Sequence, residues 1–187
     1  PIEFRTSHQM VNGQYKLPNA HRKQIKYKRE RQPISSADVG GHSQYKNLWI
    51  EDMFGRQVNI VFFMVDHRVL THPNFREEAV ASLQYLVDNI TGKDRTKAIS
   101  RRAKKNAKNG YKPDLFCFLI NKMDVWWTPQ AQYLWSHELQ REHPIVYPFK
   151  QQLRDLRKAG IQAKVEAISA QHGLNVEKVM INLIEAI

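Results

Sequence analysis

The chain has 187 residues, enough for one domain with a sizeable core and leaving little room for two. Hydrophobic residues make up 42% and aromatic residues 10%, a globular balance, and no apolar run approaches the roughly 18 residues that a membrane span requires. The formal net charge is +11, and the single cysteine, Cys117, excludes an internal disulfide and cannot by itself build a cysteine-type zinc site.

No stretch pairs a basic start with a long apolar region and a small-residue cleavage site, so a secretory signal is not expected and a reducing, cytoplasmic setting is. The positive charge is concentrated in two places. Arg22, Lys23, Lys26, Lys28, Arg29 and Arg31 form one cluster. The segment 91–112 forms the other, with Lys93, Arg95, Lys97, Arg101, Arg102, Lys104, Lys105, Lys108 and Lys112 opposed only by Asp94. Such runs serve either as contact surfaces for nucleic acid or an anionic membrane, or as solvated, mobile insertions.

Residues 1–33 are polar and basic, interrupted by Gly13 and Pro18, and read as loop plus an edge hairpin with a short strand near QIKYK. PISSADV (33–39) is a candidate strand leading into Gly40 and Gly41. VNIVFFMVDH (58–67) is a continuous apolar run, the pattern of a strand covered on both faces in a parallel sheet. After THPN, Phe75, Ala79, Leu83, Leu86 and Ile90 recur at helical steps, with Asn74 as the expected N-cap and Glu77 and Glu78 in the early turns.

Past the basic insertion, DLFCFLI (114–120) is a second buried strand. TPQAQYLWSHELQREH is predicted helical, with Thr128 as cap and Pro129 at the first helical position. YPFKQQLRDLRKAG is predicted helical and stopped by Gly160. QAKVEAIS is the third strand, and NVEKVMINLIEAI a closing amphipathic helix capped by Asn175. Strand and helix alternate from residue 58 onward, which selects a parallel α/β sheet with helices on both faces and a ligand at the strands' carboxyl ends.

Polar residues gather at those ends: Asp38-Val39-Gly40-Gly41-His42, then Asp66, then Asn121-Lys122-Met123-Asp124, then Ser169-Ala170. In this order the runs resemble the D-x-x-G, N-K-x-D and S-A motifs of the GTPase superfamily. DVGGH is most similar to the second switch of the ADP-ribosylation-factor and G-protein α group, whose form is D-V-G-G-Q. The resemblance covers about residues 33–187. It implies a three-layer, P-loop NTPase-like G domain with a mostly parallel central sheet, in which 34–187 forms the GTPase-like body and 1–33 the first-switch and interswitch segment.

The same resemblance assigns roles. Asp38, and Thr6 in FRTSH, would hold Mg2+, which keeps several waters and takes few protein ligands. Gly41 would bring a main-chain N–H to the γ-phosphate without a side chain between. His42 would orient the attacking water where the nearest families carry glutamine, as translation-factor GTPases do with histidine. Asp124 would accept from guanine N1–H and the 2-amino group, Asn121 would brace the loop and reach the base's other edge, and Lys122 would lie over the base plane. Ala170 N–H would meet guanine O6, and Ser169 would support the loop.

No G-x-x-x-x-G-K-[ST] run occurs, and TGKDRTK lacks the earlier glycine, the hydroxyl residue and a preceding strand. The expectation is that the first strand and phosphate loop lie upstream of Pro1; the alternative is a degenerate, catalytically inactive GTPase-like scaffold. The expected activity is hydrolysis of GTP to GDP, with a regulatory or effector protein meeting the switch region 38–55. The competing reading is a basic module whose segment 91–112 binds nucleic acid or an anionic membrane. The tryptophans at 126, 127 and 135 are read as core or as a partner surface.

Overall fold

A computed structural model describes residues 10–11, 14–15, 21–27, 30–36, 45–93 and 100–186. The chain divides into two units, Pro1–Gly41 and His42–Ile187. The first contains two antiparallel hairpins. Strand β1 (Met10–Val11) pairs with β2 (Gln14–Tyr15), and β3 (His21–Tyr27) pairs with β4 (Glu30–Ser36) from His21 opposite Ser36 to Tyr27 opposite Glu30. The expected strand near QIKYK is β3, whereas PISSADV supplies the end of β4, which pairs antiparallel with β3 in a two-stranded sheet instead of joining the parallel sheet as expected; its described part ends at Ser36.

The second unit is α/β, built on a three-stranded parallel sheet in the order β5-β6-β7. Strands β5 (Ile60–Val65), β6 (Leu115–Ile120) and β7 (Gln162–Ala167) run in register, with Ile60 beside Leu115 and Leu115 beside Gln162. Apolar, β-rich segments of six residues separated by helices cannot pair by tight turns, so each connection is a crossover and the strands point the same way. All six residues of β6 are buried.

Val61, Phe63 and Val65 share one face of the sheet with Phe116, Phe118, Ile120, Ala163, Val165 and Ala167. Over that face lie α1 (Lys46–Arg56), α3 (Pro73–Thr91), α4 (Arg101–Lys108) and α7 (Lys150–Lys158), contributing among others Ile50, Phe54, Leu83, Val87, Ala103, Leu153 and Leu156. Phe118 stacks near Phe63 at 6.0 Å between ring centroids and meets Phe149 at 4.7 Å. The opposite face carries Leu115, Cys117 and Leu119 against Val179 and Leu183 of α8 (Val176–Ile184). Helices therefore cover both faces of β6.

They do not cover both faces of β5. Phe62 is 41% and Met64 53% exposed, because α8 reaches only as far as Ile60 and no described strand pairs with the outer edge of β5. An apolar run is read as doubly covered only while its neighbours are assumed complete.

The remaining elements are α2 (Arg68–Thr71), α5 (Met123–Trp126), α6 (Pro129–Ser136) and two short 3-10 turns, Gln140–Glu142 and Tyr147–Phe149. Thr128 caps α6 as expected, its hydroxyl accepting from Ala131 N–H at 3.1 Å. This helix ends at Ser136, so the predicted continuation through ELQREH is turn and 3-10 structure. Three other boundaries also differ. Helix α3 starts at Pro73 with His72 as its extended N-cap, which places Asn74 inside the first turn. The α7 segment opens with a 3-10 turn before Lys150. Asn175 precedes α8 in a left-handed conformation, φ 61°, and its side-chain Nδ2 donates to Ala167 O at 2.7 Å instead of capping the helix.

The longest described helix, α3, has 19 residues, and no described helix is long and apolar enough to cross a membrane. Because Phe118 is fully buried at the centre of β6 between two other rings, Phe118→Ala is expected to cost about 3–5 kcal/mol. Equilibrium urea unfolding followed by tryptophan fluorescence measures it. A loss below about 1 kcal/mol would mean that this face is not a packed core.

Candidate functional site at the strand ends

In a parallel sheet all strand carboxyl ends lie along one edge, so the residues that follow β5, β6 and β7 become neighbours although up to about a hundred positions separate them. Main-chain hydrogen bonds stitch this edge. Asn121 N–H donates to Val65 O at 2.8 Å, Ile168 N–H to Ile120 O at 2.9 Å, and Met123 N–H to Ile168 O at 2.9 Å.

Asn121 sits at the centre. Its side-chain Oδ1 accepts from Lys122 N–H at 2.7 Å and from Ala170 N–H at 2.9 Å, joining the loop after β6 to the loop after β7. The first bond holds Lys122 in a left-handed turn, φ 57°, which a lysine adopts only at a cost that its surroundings must offset. Trp126 Nε1 donates to the main-chain carbonyl oxygen of Asn121 at 3.0 Å, so the backbone at this position is held from the indole side too.

The structure thus brings together the predicted residues Asn121, Lys122, Asp124, Ser169 and Ala170 in one body. Asp124 stands on the exposed rim in the first turn of α5. Its carboxyl is held below the usual range, first by the Ser169 hydroxyl and then, against a desolvation cost, by its own backbone N–H and the charges of His172 and Lys122. Ser169 is fully buried and its Oγ completes no hydrogen bond of good geometry, so it acts on Asp124 as a nearby dipole rather than a formed bond. His172 Nε2 lies 3.8 Å from Asp124 Oδ2.

Asp66, to which the sequence pattern assigned only a place at a strand end, anchors the other side. Arg68 donates to Asp66 Oδ1 from its backbone N–H and its Nε, both at 2.9 Å, and Lys122 Nζ approaches Asp66 Oδ2 at 3.4 Å. Burial raises the carboxyl's pKa, but the Arg68 hydrogen bonds and the charges of Arg68 and Lys122 outweigh it and hold Asp66 at about 2. Lys122 is therefore drawn back toward Asp66. No sequence motif signals this pairing, because residues 66 and 122 meet only once β5 and β6 are aligned.

Trp126 is core, and Trp127 and Trp135 are half-buried and packed against it. Trp126 is buried and meets Trp127 at 5.4 Å, Trp135 at 5.4 Å and His143 at 5.2 Å between ring centroids. Burial lowers the pKa of His143, favouring the neutral ring, whose Nδ1 accepts from Ile145 N–H at 3.3 Å. This cluster backs the Asn121 loop through the Trp126 hydrogen bond.

Thr6, Asp38, Gly41 and His42 lie outside the described residues. Among the described residues no group of three or more His, Cys, Asp or Glu side chains is placed to hold a metal ion. Compared with known proteins, the chain matches no family model and no curated protein.

The Asp66 cluster makes a pH-dependent prediction. A carboxyl whose folded pKa is about 2 against an ordinary 3.8 contributes stability that is fully present above about pH 4 and is lost as the pH falls through 2. Asp66→Asn is expected to be less stable than the parent at neutral pH, with the gap closing between about pH 4 and pH 2. Urea midpoints across that range measure it, and a constant gap would show that the charge on Asp66 is not what stabilises the loop.

Proposed function

We propose that the chain is a GTP-binding switch that hydrolyses GTP to GDP and phosphate. The observation that supports this best is the double acceptance at Asn121 Oδ1, which ties N-K-M-D to S-A at adjacent strand ends and leaves an ionised Asp124 on the rim. Two loops with that arrangement suit a planar base that offers paired donors on one edge and a carbonyl oxygen on the next.

In this reading the Asp124 carboxylate accepts from guanine N1–H and from the 2-amino group, and adenine presents no such pair. Guanine O6 would share the Ala170 N–H with Asn121 Oδ1, so the base would complete a network already organised around Asn121. The Lys122 stem would cover the base plane while Asp66 restrains its ammonium. The GTPase resemblance would give Gly41 the contact to the third phosphate and Asp38 and Thr6 the Mg2+ that neutralises phosphate charge, all three lying outside the described residues. His42 would orient the attacking water, the proton leaving through solvent or the phosphate itself. The segment 38–55, whose described part includes most of α1, would respond to the third phosphate and change its affinity for a regulatory or effector protein.

Asp124→Asn is expected to weaken GTP binding by at least about 100-fold and to favour xanthosine triphosphate, because an amide N–H can donate to the carbonyl that replaces the 2-amino group. Competition between the two nucleotides for the full chain tests this, and unchanged preference for GTP would remove Asp124 from the base site. His42→Ala is expected to slow single-turnover hydrolysis by about 100-fold with little change in GTP affinity. An unaltered single-turnover rate would take His42 out of the reaction.

A further inference from the structure

Helix α4 has the sequence RRAKKNAK, and its composition works against it as an isolated helix. Arg101 and Arg102 occupy a first turn with no acidic residue, where the positive end of the helix dipole repels cations. Arg101 with Lys104 and Lys105, and Lys104 and Lys105 with Lys108, are like charges three and four positions apart.

The protein body holds the helix from behind. Ala103 is fully buried, Asn106 Nδ2 donates to Phe54 O at 2.7 Å, and Ser100 N–H donates to Glu51 Oε2 at 2.6 Å, all toward α1. Ser100 Oγ caps the helix by accepting from Ala103 N–H at 3.2 Å. Small residues face inward, so the backbone lies close to α1, and the long cationic side chains project outward.

Arg101, Arg102, Lys104, Lys105 and Lys108 are all exposed, and none forms an ion pair among the described residues. Elsewhere on the same unit cations do find carboxylates, as Lys93 does with Asp155 and Lys150 with Glu142, both at 2.9 Å. Arg101, Lys104, Lys105 and Lys108 line one depression of about 440 Å3 together with Asn109.

From this we infer that the outward face of α4 binds the phosphodiester backbone of double-stranded nucleic acid without reading its sequence. Cations repeat along the stripe every 4.5–6 Å or so by the helical rise, and a polymer of closely spaced phosphates can engage several at once. Neither α4 nor the described lining of the depression carries an aromatic side chain to stack on an unpaired base, which favours backbone contact over base contact. A lipid surface fits less well. Helices that lie on membranes bury Trp, Phe or Leu, whereas the exposed positions of α4 are charged and its small-residue face is already occupied by α1.

The test is fluorescence anisotropy of a labelled random-sequence DNA duplex titrated with the full chain over a range of salt. Three proteins are compared: the parent, the triple variant Lys104→Gln, Lys105→Gln, Lys108→Gln, and a control of equal charge, Arg154→Gln, Lys158→Gln, Lys178→Gln. Glutamine keeps helix propensity, and the single variant Lys105→Gln provides the same readout if the triple variant melts early. The triple variant is expected to bind at least about tenfold more weakly at about 0.1 M salt and to flatten the log–log salt slope by about 2–3, the single variant by about 1, and the control to stay close to the parent. Equal losses in the triple variant and the control would overturn the assignment of the site. Uptake of the parent by phosphatidylserine vesicles in salt where the duplex does not bind would overturn the assignment of the partner.

Discussion

Strand β6 has no side that meets water: its six residues are buried on both faces and it is hydrogen-bonded along both edges, to β5 and to β7. A strand in that position must be apolar throughout, and its backbone groups must all be satisfied by parallel neighbours, since burial leaves no water to do it. The placement of the helices packed on the two faces of the sheet follows from covering it. Helices α1, α3 and α7 close the face that carries Phe116 and Phe118, and α8 closes the face that carries Cys117. Burial also holds the Cys117 thiol far above its ordinary pKa, which keeps it protonated and inert.

The same constraint creates the polar edge. Where β6 ends, its apolar run gives way at once to Asn121, and a side-chain amide replaces the missing strand neighbours. One oxygen accepts two N–H groups from two loops, so the geometry of both depends on a single residue. Asp66, directly after β5, contributes a carboxylate shared between Arg68 and Lys122. Arg68 and Lys122 remain about half exposed, so solvent screens these ion pairs and makes their contribution to stability smaller than the shift of the Asp66 carboxyl alone would give.

Charge on this unit is distributed in two manners. Around α7 and the strand-end loops several cations are matched by carboxylates, Lys150 by Glu142, Lys93 by Asp155 and Lys122 by Asp66. On α4 they form no ion pair among the described residues, on a helix whose inner face is small and well packed.

The sequence by itself determined the α/β class of the second unit, its three parallel strands, the direction in which they run and the loops where polar residues would collect. Those properties follow from the length of apolar runs and the helices between them, which are local. The Thr128 cap was equally legible, because a cap is a contact across three residues. The tertiary structure alone decided that Asn175 reaches β7 rather than its own helix, that Asp66 restrains Lys122, that the tryptophans back the Asn121 loop, and that one face of β5 stays open at Phe62 and Met64. Each of these is a contact between segments far apart in the chain, or the absence of one among the described residues. Hydrophobic periodicity reports that a side chain wants cover, but only the assembled sheet determines which neighbour supplies it.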